Sequence, residues 1–576
     1  MSGAGEEEVD LLVLGAGCAG MVAAVTAAAC GLRVLLAEKA GHVGGTTAYS
    51  AGTAWVPGTD HVQRAGLDDT VEEAARYLDW IAGEEDPRGL RTAFLRTGAE
   101  AIRFLEANTP LRLILPPLAP DYRDGPGAVA AGRALATAEY DGRLLGPDLA
   151  LIRAPRPGFT VFGGMMVGKP DVEVLLRPFG SVAAFRRVLG ILGRHARDRL
   201  SHPRGTRLVM GNALVARLLA GLRAQGVVIR MRTRAERLLL RDGRVEGAVL
   251  LDSNGQRTTV RAGRGVVLAT GGFSGSPGWR AKLLSPSPAG ELTVACPDDA
   301  GDGFDLASAA GAAPDASGQG TGAFWMPTSI RRGRDGAVAF PHIILDRAKP
   351  GVILVNARGE RFVNEGLSYH DVVTAMFGNG GDGPDRPAWL ICDSVFLRRY
   401  GLGLIRPRAL SWRGFQRDGY LVSAPDLRTL AARIGVSPGG LEATVARHNG
   451  FAETGVDADF GKGSTRLNRQ NGDAARGGRN PCLAPITKAP FHAVAVWPAD
   501  LATAAGLPTD ADGRVLRPDG AAVPGLYAAG NDMASIMGGT YPGPGTTIGP
   551  AMVFGYRVGR HAAATCHERP DAPTRT

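Results

Sequence analysis

Gly15, Gly17 and Gly20 stand in the spacing G-x-G-x-x-G, inside VDLLVLGAGCAG from Val9 to Gly20. An acid, Glu38, follows about 20 residues later. Residues of these types at this spacing bind a nucleotide. The first glycine permits a tight turn, the second lets backbone approach a pyrophosphate, and the third lets a helix pack closely on a strand. The N-terminus of that helix offers free N–H groups and partial positive charge to phosphates. Glu38 can accept hydrogen bonds from ribose hydroxyls. Farther on, GHVGGTTAYSAGTAWVP brings Gly44, Gly45, Thr46, Thr47, Ser50 and Gly52 into one loop. Small residues let a planar ligand lie on backbone while hydroxyls and N–H groups bind diphosphate and ribityl oxygens. A plain Gly/Thr turn is the alternative reading.

The elements that must hold these residues are legible around them. Leu11 to Leu14 form a short apolar run of the kind that makes a buried parallel strand. A helix from Met21 to Cys30 and a strand from Arg33 to Ala37 complete a βαβ unit. RGVVLATGG, Arg264 to Gly272, is a further buried strand ending in a Gly-rich turn, and VPGLYAAGND, Val523 to Asp532, repeats that logic and delivers Asn531 and Asp532 to a site. Thr70 to Asn108 has helical periodicity and reads as surface helices, while Leu115 to Arg133 is a Pro/Gly-rich loop containing Tyr122. Asn212 to Leu222 reads as a helix and Val227 to Met231 as a strand, and Ala235–Leu240 with Val245–Asp252 suggests a β-meander. The stretch from Ile330 to about Ala499 differs in kind and reads as an inserted domain. The expected fold is α/β, a discontinuous Rossmann-like nucleotide domain (1–329 and 499–565) with an inserted α+β capping domain (330–498) and a disordered tail at 566–576.

At 576 residues and 59.9 kDa the chain suggests two or three domains. Its net charge of +9 rests almost wholly on arginine, with no aromatic–basic interleaving, which argues against nucleic acid. Six scattered cysteines without a C-x-x-C argue against a redox disulfide, an iron–sulfur cluster and a zinc site. One G-x-G-x-x-G and no paired cysteines disfavour a pyridine-nucleotide–disulfide reductase. The acidic N-terminus and the lack of a run of ~18–20 apolar residues point to a cytoplasmic protein. From Arg177 to Arg207, eight arginines face one acid, Asp198, and Val182, Phe185, Leu189, Leu192, Ala196 and Leu200 recur at helical spacing. That pattern suits a solvated helix over a core stripe, or peripheral contact with a membrane surface.

The fingerprint, GGTTAYSAGTAWVP, RGVVLATGG, RFVNE and GLYAAGND, in this order, resemble the flavoprotein family of fumarate reductases and succinate dehydrogenases. Within it, GGTYPGPGTTIGPAMVFG, FGGMMVGKPDVEVLL and RGTRLVMGNALVARLL are similar to the 3-ketosteroid Δ1-dehydrogenases. The resemblance implies non-covalent FAD, because Gly45 stands where covalent relatives carry a flavin-linking histidine. With the fingerprint, it assigns the cofactor to Gly15, Gly17, Cys18, Ala19, Gly20, Glu38, Lys39, Gly45, Thr46, Thr47, Ser50, Ala51, Gly52, Ala235, Thr270, Gly271, Gly530, Asn531, Gly545 and Ile548. It further implies that Tyr541 and the Gly545 N–H hold the oxygen of a 3-ketone, that Tyr369 removes the proton from carbon 2, and that Tyr122 assists Tyr369. Hydride would pass from carbon 1 to flavin N5, and an external acceptor such as a quinone would take the electrons. The chain departs from the steroid pattern at GLPTD after ADLATAA, and at His370, where an apolar residue is usual. A fumarate-type reductase would need an HTMGG-like motif, which is absent. A relative desaturating another position or another carbonyl compound, and a flavin-binding sensor without turnover, stay open.

Overall fold

In this computed structural model the structure describes residues 5–86, 88–168, 171, 174–175, 178–287, 292–333, 336–378 and 381–565. The expected tail at 566–576, Arg177 and part of FGGMMVGKPDVEVLL lie outside the described residues. Leu11 to Leu14 carry no polar side chain and are at most 3 % exposed, so strand β1 (Gly5–Leu14) runs between two covered faces. It turns into α1 (Cys18–Ala29) and returns as β2 (Val34–Glu38), parallel to it, with Leu11 opposite Val34 and Leu14 opposite Ala37. The helix starts earlier than the apolar pattern indicates, because Gly17 is already its extended N-cap residue.

The chain then leaves the sheet through α2 (Leu90–Asn108) and α3 (Val182–Asp198), and comes back through α4 (Met210–Ala224). The region expected as surface helices is more than that. In α2, Phe94, Ile102 and Leu105 are fully buried, and the helix meets the C-terminal part of the chain through a Glu100–Tyr556 hydrogen bond of 2.6 Å. Strands β3 (Val228–Met231), β4 (Thr233–Arg241), β5 (Arg244–Asp252) and β6 (Arg257–Leu268) complete most of the first sheet, in the order β3-β2-β1-β6-β5-β4.

A second sheet follows, built from β7 (Ala323–Gly333), β8 (Gly336–Pro341) and β9 (Val352–Val355), then, after helix α5 (Tyr369–Phe377), β10 (Ala388–Asp393), β11 (Val422–Ala424) and β12 (Phe491–Thr503). Its order is β8-β7-β12-β10-β9, with β11 also on β12, and every pairing is antiparallel. β7 and β12 run across the expected boundaries at 330 and 499, and the two strands pair with each other.

The chain ends where it began. β13 (Arg514–Leu516) pairs β14 (Ala522–Ala528), and β14 lies parallel to β6 with Val266 opposite Leu526. The last helix, α6 (Ile548–Ala564), packs on α1. A Cβ on Gly555 would sit 2.7 Å from the Ala19 carbonyl oxygen, and one on Gly559 2.7 Å from Thr26 Cβ. Small residues one turn apart therefore bring the two backbones together.

The fingerprint glycines have separable jobs. A Cβ on Gly20 would lie 2.0 Å from the Gly15 carbonyl oxygen, whereas one on Gly17 meets nothing within 4 Å. Gly20→Ala must shift the helix and should cost about 1–3 kcal/mol of stability. Gly17→Ala, whose backbone is extended, should cost at most about 1 kcal/mol yet weaken nucleotide binding. Denaturant unfolding of the ligand-free protein, beside a cofactor titration, checks both.

Candidate active site

The turn between β1 and α1 opens on a cavity with about 1060 Å³ of atom-free space, lined from Leu14 to Ala551. Gly15 makes that turn at φ +104, where any other residue would collide with the Ala269 backbone at the end of β6. Helix α1 starts with no side-chain cap and no acid in its first turn. Its first N–H groups therefore want an anion, and among the described residues only the Cys18 N–H has a local partner, Thr47 Oγ1 at 3.1 Å. The space beside Gly17 leaves room for a diphosphate. Glu38 ends β2 with its carboxylate accepting from the Ala16 and Ala40 N–H groups, each at 2.8 Å. Burial nevertheless pushes its carboxyl above the ordinary range. These residues fit FAD: uncapped amides for the diphosphate, a buried acid at the ribose position, and a long cavity for the rest.

Sixteen of the expected cofactor residues line this cavity: Gly15, Gly17, Cys18, Ala19, Glu38, Lys39, Gly45, Thr46, Thr47, Ser50, Ala235, Thr270, Gly271, Gly530, Asn531 and Ile548. Four do not. Gly20 packs beneath the turn, against Gly15. Gly52 is wedged against the Met210 backbone at the start of α4, its carbonyl held by Thr137 Oγ1 at 2.6 Å, and Ala51 beside it is exposed. Gly545 stands behind the cavity wall, φ +95, where a Cβ would meet the Thr53 carbonyl oxygen at 2.5 Å. Sequence reasoning missed the partners of Lys39 and Thr46 on the rim, and Arg153 beside them. Lys39 pairs with Asp302 and Arg153 with Asp298, while Thr46 Oγ1 donates to Asp299 at 2.6 Å and accepts from the Cys296 N–H at 2.6 Å. Burial, with Asp532 and Glu38 close by, pushes the Asp299 carboxyl well up. The acid-rich CPDDAGD from Cys296 to Asp302 was the available signal.

Tyr122, Tyr369 and Tyr541 come from three separate parts of the chain and meet. Tyr369 is the first residue of α5, held there by the Ser368 cap on the Asp371 N–H. The Tyr122 hydroxyl donates to the Tyr369 hydroxyl at 3.4 Å, and the Tyr541 ring packs against both. Ring centroids are 5.0 Å apart for Tyr369–Tyr541 and 5.8 Å for the stacked Tyr122–Tyr541 pair. Phe324, edge-on to Tyr541, lines a smaller cavity that shares Gly530, Asn531, Thr547 and Ala551 with the cofactor cavity, so the cluster stands beside the cofactor's edge. All three rings are buried, and burial raises each phenol. Tyr541 is pushed up to about 12; Tyr122 and Tyr369 go higher, with Tyr122 and Tyr541 adding to the rise at Tyr369.

His370 follows Tyr369 on α5. Its Nδ1 accepts from the Trp325 N–H at 3.3 Å, and its ring lies 6.3 Å from that of Tyr541. Burial holds the imidazole below its usual range. The neutral ring thus ties α5 to β7 beside Tyr541. Phe324 of β7 closes against Tyr541 at 5.3 Å, edge to face. Arg347, buried, donates to the carbonyls of His342 at 3.0 Å, Glu365 and Ile343, and so fixes the turn that leads into α5.

Tyr122 lies in a loop without regular structure, and a buried ion pair holds it. Arg133 reaches Asp69 and Asp121, each at 2.8 Å, with all three side chains at most 2 % exposed. Asp121 also accepts from Trp55 Nε1 at 2.8 Å and from the Val129 N–H at 3.2 Å. Burial pushes the Asp121 carboxyl up to about 6, against the pull of Arg133. The Tyr122 N–H donates to the Pro542 carbonyl at 2.8 Å, and the Trp55 N–H to that of Gly545 at 3.1 Å. One set of contacts positions Tyr122 and Gly545 together.

A family described as "FAD binding domain" matches residues 10–548. The chain is 39 % identical over 571 residues to a 4-oxocyclohex-2-ene-1-carboxylate 5-dehydrogenase of Sinomonas cyclohexanicum, covering 97 % of this chain and 94 % of that one. It is 37 % identical to a 3-oxosteroid 1-dehydrogenase of Mycolicibacterium smegmatis, covering 97 % and 98 %. Among solved structures it is similar to the 3-ketosteroid Δ1-dehydrogenase of Sterolibacterium denitrificans in complex with 1,4-androstadiene-3,17-dione, at a TM-score of 0.89 and 33 % identity, covering 97 % and 100 %.

Two substitutions test the supports. Arg133→Met leaves two buried carboxylates unpaired and should cost about 3–5 kcal/mol, read by denaturant unfolding. Glu38→Ala should weaken the cofactor by about 1.5–3 kcal/mol, read by FAD release on dilution.

Proposed function

This chain belongs to the family of FAD-binding flavoproteins that includes the 3-oxosteroid 1-dehydrogenases, and from that premise we propose that it desaturates the 1,2-bond of a 3-ketosteroid. The observation that carries the reading is the convergence of three phenols in one buried cluster beside the cofactor cavity. The cofactor is FAD, which supplies the hydride acceptor for carbon 1. The chain's own groups manage the proton. The Tyr541 hydroxyl and the Gly545 N–H hold the ketone oxygen, whose developing negative charge makes the neighbouring C–H acidic. Gly545 stands two residues before the N-cap of α6, so its amide is at the positive end of that helix. Ionised Tyr369 takes the proton from carbon 2, and the Tyr122 hydroxyl, donating to Tyr369, stabilises the phenolate that does so.

Two relatives act on small cyclohexane carboxylates by name, so a carboxylate substrate is the second reading. It needs a free cation at the tyrosines. Two nearby arginines are already committed: Arg347 donates to backbone carbonyls, and Arg123, next to Tyr122 in the chain, pairs with Asp371 at 2.7 Å. That supports a neutral ketone. The reading also includes an external quinone-type acceptor.

Under anaerobic conditions, 4-androstene-3,17-dione should bleach the bound flavin, and 4-oxocyclohexanecarboxylate should not. Bleaching by the carboxylate alone overturns the steroid reading; bleaching by neither overturns the desaturase. Tyr369→Phe should lower turnover by about 10²–10⁴ and Tyr541→Phe by about 10²–10³, with Tyr122→Phe milder and substrate binding kept in all three.

The pH profile follows from the sign of the shifts. The base acts deprotonated and its phenol is raised above the ordinary value of about 10. Initial rates should therefore climb with pH through neutrality and show no plateau below about 10. The same raised phenols stabilise the fold fully below about 10 and lose that contribution as pH rises through their folded values, so unfolding is followed in parallel. A plateau near neutral pH would remove the phenol as base.

A further inference from the structure

The acids around the cofactor cavity divide by what holds their charge. Asp302 pairs with Lys39 and Asp298 with Arg153. Glu38 accepts from two backbone N–H groups. Asp532, fully buried, accepts from the Thr270 N–H at 2.5 Å, the Gly272 N–H at 2.9 Å and Thr270 Oγ1 at 3.0 Å. Asp299 is different. It lines the cavity, is 4 % exposed, and has no ion-pair partner among the described residues. Its Oδ2 accepts from Thr46 Oγ1, which has a single proton to give and itself accepts from the Cys296 N–H. Its Oδ1 lies against Gly271, where a Cβ would come within 2.3 Å, and no donor to it is found among the described residues.

One hydroxyl donor is too little to hold a carboxylate in a dry site. An ionised Asp299 would also face Asp532 and Glu38, while Lys39, the cation that offsets them, is drawn to Asp302. Burial and these two acids push its carboxyl well up. The rest of that wall supplies no free charge nearby: Arg153 and Asp298 cancel each other, Arg234 is exposed to solvent, and burial pushes the Cys296 thiol up to about 12, so it stays neutral. The cofactor adds further negative charge. Thr47, next to Thr46, accepts from the Cys18 N–H, which puts Asp299 close to the amides at the start of α1 that suit a diphosphate. A carboxylate beside a diphosphate is a like-charge contact, whereas a carboxylic acid is a donor to it. With Oδ2 already an acceptor, the proton belongs on Oδ1, the oxygen beside Gly271.

We propose that Asp299 is protonated in the FAD-loaded protein and donates from Oδ1 to an oxygen of the cofactor's diphosphate–ribityl chain, so that FAD binding and protonation of Asp299 are linked. The inference rests on FAD in this cavity and stands without the reaction at the tyrosines. The sign of the linkage is fixed. Where Asp299 of the FAD-free protein already carries its proton, affinity does not depend on pH through this group. At higher pH the cofactor binds only with a proton taken up from solvent, and affinity falls by up to about tenfold per pH unit. Glu38 acts with the opposite sign, because it serves as a carboxylate and loses its ribose contact when protonated in acid.

The test is dilution of the full-length, FAD-loaded protein across roughly pH 5–9, with released FAD read from its fluorescence and the fold followed by circular dichroism. In the wild type the apparent Kd should rise on the alkaline side. Asp299→Asn keeps the shape and an N–H donor but cannot ionise. It should bind FAD as tightly as the wild type does in acid, with the alkaline rise abolished, whereas Glu38→Gln should keep that rise. Asp299→Leu, which has no donor, should raise the Kd in acid by about 10- to 100-fold. Infrared difference spectra of the FAD-loaded wild type against Asp299→Asn should show the carbonyl band of a protonated carboxyl, displaced in D2O; this readout and the Asn variant decide the matter even where Asp299→Leu fails to fold. Asp299→Asn losing FAD at every pH would make the side chain an ionised acceptor and overturn the proposal. So would a wild-type Kd without the alkaline rise, a rise that persists in Asp299→Asn, or the absence of the carboxyl band.

Discussion

Arg133 lies between Asp69 and Asp121 with almost no access to water, and the positions of the reacting groups depend on it. The stretch before it has no strand ladder and no helix to hold it, yet it must place the Tyr122 hydroxyl to within a few tenths of an ångström. Coulombic attraction in a dry environment supplies that constraint. The desolvation of three charges offsets much of the gain, so such a cluster adds little to stability and acts through geometry. Its reach is wide because Asp121 also holds Trp55, whose backbone meets Gly545. Loosening one guanidinium would therefore displace both a tyrosine and the glycine opposite it.

The molecule separates two electrostatic regimes across a short distance. Around the cofactor cavity, opposite charges sit in pairs, Lys39 with Asp302 and Arg153 with Asp298, alongside the buried Asp299. At the tyrosines no carboxylate partner is found among the described residues, and Arg123 and Arg347 nearby are held by other partners. A nucleotide diphosphate suits the first setting. The second suits a weak acid whose proton has to move, because a low-dielectric site magnifies every donor aimed at the ketone oxygen.

Local chemistry was legible in the sequence and convergence was not. The fingerprint could be read because strand, turn and helix are consecutive, and each glycine answers a steric demand within a few residues. Gly20 serves the packing read for it, whereas Gly52, expected at the ligand in the next loop, also serves packing, since a glycine needed for close approach and one needed for a ligand look alike in one dimension. Tyr122, Tyr369 and Tyr541 carry no periodic signal; they emerged through resemblance to a family, and their meeting depends on the cap sheet bringing α5 onto two loops of the first domain. Arg153, Asp298, Asp299 and Thr547 come from loops whose approach to the cavity is set by tertiary packing alone. The helices before Tyr122 were expected at the surface because their polar faces are plain in the sequence, while the burial of α2 requires α6, more than 400 residues later.

That dependence on the end of the chain has a consequence for how the protein is made. The cofactor cavity is walled by residues from Leu14 to Ala551, and α1 is covered by α6 only once Gly555 and Gly559 are in place. A nascent chain therefore presents its fingerprint long before the opposite wall exists. Until the last helix has left the ribosome, the alanine-rich face of α1 has no lid and the diphosphate pocket has no floor. Contacts this distant in sequence carry a large loop-closure cost, so the complete cavity exists only once α6 has docked on α1. A truncation of the last turns would strand the whole chain in an unloaded state, although every residue of the fingerprint remained.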